Sequence, residues 1–288
     1  MKGENLLSRF AICLLIVHLI GVGDSYADTE NDRNPDASSW KEPSLITLPG
    51  RSSDQVSDGH VFTGFPGANS INFIIKNNCP YTIWPGTLTS SGPAFPSTGF
   101  ELAQGASRTL TAQPSWSGRI WARSQCFMDG GRFVCRSADC GSGQVACNGG
   151  GAIPPASLAE FTLNGHGNLD YYDVSLVDGF NLPVRISPRA GCPSTACPVD
   201  VNRICPQELS IRDPRGGIIG CKSACLAFHQ DQYCCTGSHN TPKTCPPTNY
   251  SQFFKNQCPQ AYSYAYDDTS STFTCGSGST NYVVTFCP

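Results

Sequence analysis

The chain has 288 residues, only 14% of them charged, and a formal net charge of −3. So near-neutral a chain has no general electrostatic grip on nucleic acid or anionic lipid, which excludes both as partners. The informative number is the cysteine count, 17.

Residues 1–27 read as a secretory signal. Lys2 and Arg9 precede an apolar run from Phe10 to Val22, followed by Ser25-Tyr26-Ala27, a cleavage-site pattern. The run is shorter than the ~20 residues that span a bilayer. The expected location of the mature protein is therefore extracellular. Residues 28–67 carry seven Asp/Glu and three Lys/Arg and have no cysteine and no hydrophobic period. They read as an acidic disordered extension or pro-segment, which leaves 68–288 at a net +1.

From Ile71 onward the signals are β. INFIIKNN, YTIWPG, SRTLTAQ, GRIWARS, AEFTL, DYYDVSLV, PVRIS and NYVVTF are short, rich in β-branched and aromatic residues, and bounded by Gly, Pro or Asn. Many short strands in about 220 residues predict a sandwich or barrel. Two blocks break the pattern. Cys126–Cys147 packs four cysteines among Gly and Asp, as in a small stapled loop module. Cys192–Cys258 holds nine cysteines and the credible helices, in GCKSACLAFHQ, where Cys221, Cys225 and Phe228 share a helical face, and in NYSQFFKNQ, where Asn249 or Ser251 is positioned to cap.

Sixteen cysteines lie between Cys79 and Cys287. An even, dense set in an exported chain favours a disulfide framework. The rival reading is a metal site, since Cys221, Cys225, His229, Cys234 and Cys235 are crowded together. No nucleophile elbow, phosphate loop or zinc-protease motif occurs, and no cofactor or metal is expected. Asn249-Tyr250-Ser251 is a usable glycosylation sequon.

Four acids fall within nineteen residues of one another: Glu160, Asp170, Asp173 and Asp178. A hairpin centred on His166-Gly167 sets Glu160 opposite Asp173 and Phe161 opposite Tyr172. The aromatic pair favours that register, whereas the like charges oppose it by up to ~1 kcal/mol. A tolerated local penalty of this kind invites a functional explanation.

GGRFVCRSADCGSGQVAC closely resembles the thaumatin signature, with Ser137 in place of the usual Thr. NNCPYTIWPG, PPASLAEFTLNG, DYYDVSLVDGFNLP, CCTGSHNTP, CPQAYSYAYDD and NYVVTFCP are similar to thaumatin-like segments too, so the resemblance covers nearly all of 68–288. It implies a mainly β fold, a flattened β-sandwich with two small disulfide-rich lobes, one carrying short helices. The core would be 68–123, 156–198 and 259–288, the small lobe 124–155 and the helical lobe 199–258. The implied bridges are Cys79–Cys287, Cys126–Cys135, Cys140–Cys147, Cys192–Cys275, Cys197–Cys258, Cys205–Cys221, Cys225–Cys234 and Cys235–Cys245.

The resemblance also implies an acidic cleft lined by an Arg, a Glu and three Asp. Glu160, Asp173 and Asp178 match the motif positions. The Arg falls on Arg119, with Arg123 the same-face alternative, and Gln260 stands where the family often has the last Asp. Tyr171 or Phe180 would stack on sugar rings. The implied role is that of a secreted, monomeric, pathogenesis-related antifungal protein binding β-1,3-glucan or similar cell-wall polysaccharide. The alternatives are a weak endo-β-1,3-glucanase, with Glu160 as acid and Asp173 or Asp178 as base or stabiliser, and a membrane-permeabilising or enzyme-inhibiting protein.

Overall fold

The computed structural model describes residues 70–278 and 280–288; the expected signal (1–27) and acidic extension (28–67) lie outside the described residues. The chain runs β1 (Ile71–Asn77), β2 (Trp84–Ser91), β3 (Ser107–Ala112), β4 (Ser117–Asp129), β5 (Arg132–Ser137), β6 (Leu158–Thr162), β7 (Leu169–Ser175), β8 (Val184–Pro188) and β9 (Thr195–Cys197). It continues through β10 (Ser210–Arg212), β11 (Ile218–Cys221), α1 (Ala224–Phe228), α2 (Asp231–Cys234), α3 (Asn249–Gln257), α4 (Asp268–Ser271), β12 (Phe273–Gly276) and β13 (Tyr282–Phe286).

Two sheets form a sandwich. One has the order β3-β1-β13-β8-β9; the other runs β12-β7-β6-β4-β2, with β5 paired to the outer end of β4. Alternation along each strand sends one set of side chains inward. Phe73 of β1 meets Phe161 of β6 edge-on, with ring centroids 4.9 Å apart, and Tyr282 stacks beside it. Trp116, Tyr172, Val174, Val184, Ile186 and Phe286 complete this buried layer. β1 and β13 pair in parallel, so the last strand lies in the middle of its sheet, between β1 and β8.

β2 begins at Trp84, later than the expected YTIWPG segment, and includes Pro85. A proline fits there because β2 is an edge strand. β5 and β12 were not among the expected strands. Their Gly- and Cys-rich surroundings hide the alternation, and each is held mainly by one long neighbour. Cys221 ends β11 rather than sharing a helix with Cys225 and Phe228.

The structure contains the same eight bridges that the resemblance implies. Cys221, Cys225, Cys234 and Cys235 of the crowded block are all consumed in them. Cys79–Cys287 spans 208 residues, and a chain-entropy treatment gives such a loop roughly 5 kcal/mol. The small lobe hangs on the β4–β5 hairpin, where Cys126 and Cys135 are direct cross-strand partners. In the helical lobe, α3 is capped by Thr248, not by Asn249 or Ser251. The Thr248 hydroxyl accepts from the Ser251 N–H, and the Ser251 hydroxyl accepts from the Thr248 N–H, a reciprocal capping box.

Candidate acidic cleft

On the outer face of the six-stranded sheet, Arg119 of β4, Glu160 of β6 and Asp173 of β7 occupy one cross-strand row. The register is the one read from the hairpin, with Glu160 opposite Asp173 and Phe161 opposite Tyr172. The same alternation turns Asp170 inward. There it accepts from the Tyr282 hydroxyl at 2.8 Å and the Asn164 N–H at 2.9 Å, so this fourth acid of the hairpin is a structural acceptor.

Asp178 arrives from the turn after β7. Gly179 has a φ of +80°, and a Cβ there would lie 2.5 Å from the Cys221 carbonyl oxygen. Only glycine lets this turn sit against β11 of the helical lobe. The placement brings Asp178 Oδ2 to 3.9 Å from one terminal nitrogen of Arg119, whose Nε is 3.8 Å from Glu160 Oε1. One guanidinium therefore faces two carboxylates, all three side chains about a quarter exposed.

Arg123, four residues along β4, shares the face but not the row's exposure. It is fully buried beneath the small lobe. Its Nε donates to the Trp84 carbonyl at 3.1 Å, and its terminal nitrogens donate to the Gln144 and Val145 carbonyls. Burial lowers its pKa to about 10, with Asp139 opposing. Trp121 and Leu158, also outward-facing, pack under the same lobe. The lobe thus roofs half of the outer face and leaves the Arg119–Glu160–Asp173 row open.

Asp173 has the most perturbed carboxyl. Burial first, then Glu160 and Asp268, push its pKa well above the ordinary carboxylate range, and Arg119 only partly opposes them. Its Oδ1 is buried without a hydrogen-bond partner among the described residues. Burial also raises the Asp178 pKa, again against Arg119. Asp173 is therefore a carboxyl whose surroundings favour its protonated form.

Three expectations need correction. Phe180 is fully buried and pairs with Cys221 through two backbone hydrogen bonds of 2.8 Å, so its ring meets the core and no ligand. Gln260 lines a separate groove with Arg185 and Ser187 of β8. The additional acid near Asp173 is Asp268, at the start of α4, which accepts from the Tyr262 hydroxyl at 2.8 Å. The missed signal was present in the YDD of CPQAYSYAYDD; only the return of the chain past β7, through the Ser175–Tyr262 bridge, reveals it. Tyr171 lies on the same face of β7 as Asp173, half-buried, with its ring over Gly165 and its hydroxyl donated to the His166 carbonyl.

A sequence profile of the Thaumatin family matches residues 77–288. The chain belongs to the thaumatin family. Thaumatin-like protein 1 of Pyrus pyrifolia is 61% identical over 227 residues, covering 77% of this chain and 93% of the relative. A Prunus avium relative named glucan endo-1,3-beta-glucosidase is 56% identical over 229 residues, covering 78% and 93%. Pathogenesis-related protein 5 of Arabidopsis thaliana is 53% identical over 221 residues, covering 75% and 90%. Among the described residues of this thaumatin-family chain, no helix is long and apolar enough to cross a membrane.

Proposed function

We propose that this thaumatin-family protein is a secreted defence protein whose acidic cleft binds β-1,3-glucan or a similar cell-wall polysaccharide, with an antifungal role. The observation that carries the reading is the open row Arg119–Glu160–Asp173, with Asp178 on the other side of the same guanidinium. Carboxylates accept from sugar hydroxyls and the guanidinium donates to them, each a charge-assisted hydrogen bond. The names of the Prunus avium and Arabidopsis thaliana relatives support it.

A second reading, weak hydrolysis, is favoured by the raised Asp173 carboxyl. A glycosidic bond is cleaved when a protonated carboxyl donates to the leaving oxygen while an ionised one supports the developing positive charge or activates water. Asp173 would be the donor and Glu160, held beside Arg119, the ionised partner.

The test is a pull-down on insoluble β-1,3-glucan, cellulose and chitin, with released soluble sugar assayed alongside. Glu160→Gln and Asp178→Asn should each weaken glucan binding by roughly 1.5–3 kcal/mol while the fold survives. Binding without released sugar fits a binding protein. Sugar release that is lost in Asp173→Asn fits the enzyme. Unchanged binding in the Glu160→Gln, Asp178→Asn double variant places the glucan site elsewhere, whereas neither binding nor sugar release by the wild type leaves an enzyme-inhibiting or membrane-permeabilising protein.

A further inference from the structure

On the other sheet, the outer face ends in an open groove of about 500 Å³, bounded by Arg185 and Ser187 of β8, Ser194 to Pro198 around β9, and the Gln257–Gln260 segment after α3. That volume is in the range of small-ligand sites, roughly 300–1,000 Å³. Its wall is fixed to its floor: Cys197 of β9 is bridged to Cys258, and the Thr195 hydroxyl donates to the Gln260 carbonyl at 3.3 Å. A groove braced in this way loses little entropy when it is filled.

The lining is specific in character. It offers one guanidinium, two side-chain amides, two hydroxyls and two prolines, and it contains no carboxylate. Arg185 is exposed, and no hydrogen bond or ion pair engages it among the described residues. The row continues beyond the groove: Arg185 pairs with Thr285, and Thr285 pairs with Lys76, a second exposed cation two strand spacings away, about 10 Å. This face is the electrostatic opposite of the acidic cleft.

We propose that the groove binds an oligosaccharide bearing uronate carboxylates. The Arg185 fork takes a carboxylate in two parallel hydrogen bonds. Gln257, Gln260, Ser187 and Ser194 exchange hydrogen bonds with ring hydroxyls, Pro198 and Pro259 present apolar faces to the sugar C–H surface, and Lys76 meets a later carboxylate along the chain. Several carboxylates spaced on one polymer suit two well-separated cations better than a compact phosphate does. The inference is independent of the acidic cleft, which lies on the opposite sheet.

The test is titration calorimetry of the mature protein with four probes: a galacturonate hexamer, its fully methyl-esterified form, polyglutamate of similar charge, and laminarihexaose. The free-acid hexamer should bind, and esterification should weaken it about tenfold or more, because the charge is removed and the shape kept. Arg185→Gln should produce a similar loss and Lys76→Gln a smaller one, both leaving laminarihexaose binding and the melting temperature unchanged. Absence of uronate binding, equal affinity for the ester, or an unchanged Arg185→Gln variant overturns the proposal. Equal binding of polyglutamate overturns the sugar assignment in favour of an acidic peptide. Laminarihexaose reports on the acidic cleft separately, so the two sites fail independently.

Discussion

Glu160 and Asp173 stand directly opposite each other on the same face of adjacent antiparallel strands, two carboxyls in the position where a sheet ordinarily sets complementary partners. Burial and the facing Glu160 raise the Asp173 pKa, and the proton this favours relieves the repulsion within the pair. A carboxyl whose pKa is raised by folding binds more protons in the native state than in the unfolded one. Stability therefore falls as pH rises from the unfolded value, about 3.9, through the raised native value, and then levels off.

Asp173→Asn removes that cost and keeps the shape. We expect it to stabilise the protein at neutral pH by on the order of 1 kcal/mol and to flatten the stability profile between about pH 4 and 8. Denaturant melts across that range check the sign. A variant less stable than wild type at pH 8 contradicts the raised carboxyl.

Arg123 calls for the opposite experiment. Its donors satisfy the carbonyls of Trp84, Gln144 and Val145 from a fully buried position, so truncation to Ala removes these bonds and leaves a cavity. The expected loss is about 3–5 kcal/mol, with Arg123→Lys recovering only part because a single ammonium cannot reach three directions. Faster proteolysis within 138–147 would confirm that the guanidinium anchors the small lobe.

Gly179→Ala tests the turn that delivers Asp178. A methyl group there meets the Cys221 carbonyl oxygen and imposes a left-handed conformation on alanine. Destabilisation should exceed about 1 kcal/mol, and any ligand affinity that depends on Asp178 should fall with it. A melt and a binding isotherm on the same sample separate the two effects.

The helical lobe offers a paired test at α3. Asn249 is exposed at the first helical position, whereas Ser251 of the same sequon is buried in the capping box. Asn249→Gln abolishes glycan attachment without touching the cap. Ser251→Ala abolishes both and should cost about 1 kcal/mol more. Mass spectrometry of the protein expressed in a eukaryotic host, before and after deglycosylation, reports the occupancy of Asn249.

Much of the hairpin was legible because a period of two and an aromatic pair fix a register without reference to the rest of the chain. That is why Glu160 and Asp173 could be set opposite each other from sequence, whereas Arg119 was reached through the family resemblance with Arg123 left open, and only the β4–β6 register adds it to the row. Phe180 could not be placed, since the reversal at Gly179 decides whether the next residue faces ligand or core, and β11, forty residues later, makes that decision. Asp268 is ninety-five residues from Asp173 and enters the site through Tyr262, a hydroxyl contact with no sequence signature. Gln260 was misplaced for the same reason: its neighbour Cys258 is drawn to β9 and away from the acids.

The central position of β13 bears on how the molecule is born. β1 can pair with β3 and β8 with β9 early, but neither has its second hydrogen-bonding neighbour until residues 282–286 exist, and the bridge from Cys79 waits for Cys287. A ribosome extrudes the chain from its first residue onward, so the five-stranded sheet cannot close on a nascent chain that still lacks β13. The facing edges of β1 and β8 stay unpaired until then and need shielding by chaperones. Chains shortened before Tyr282 should accordingly emerge as aggregates rather than as a smaller folded domain.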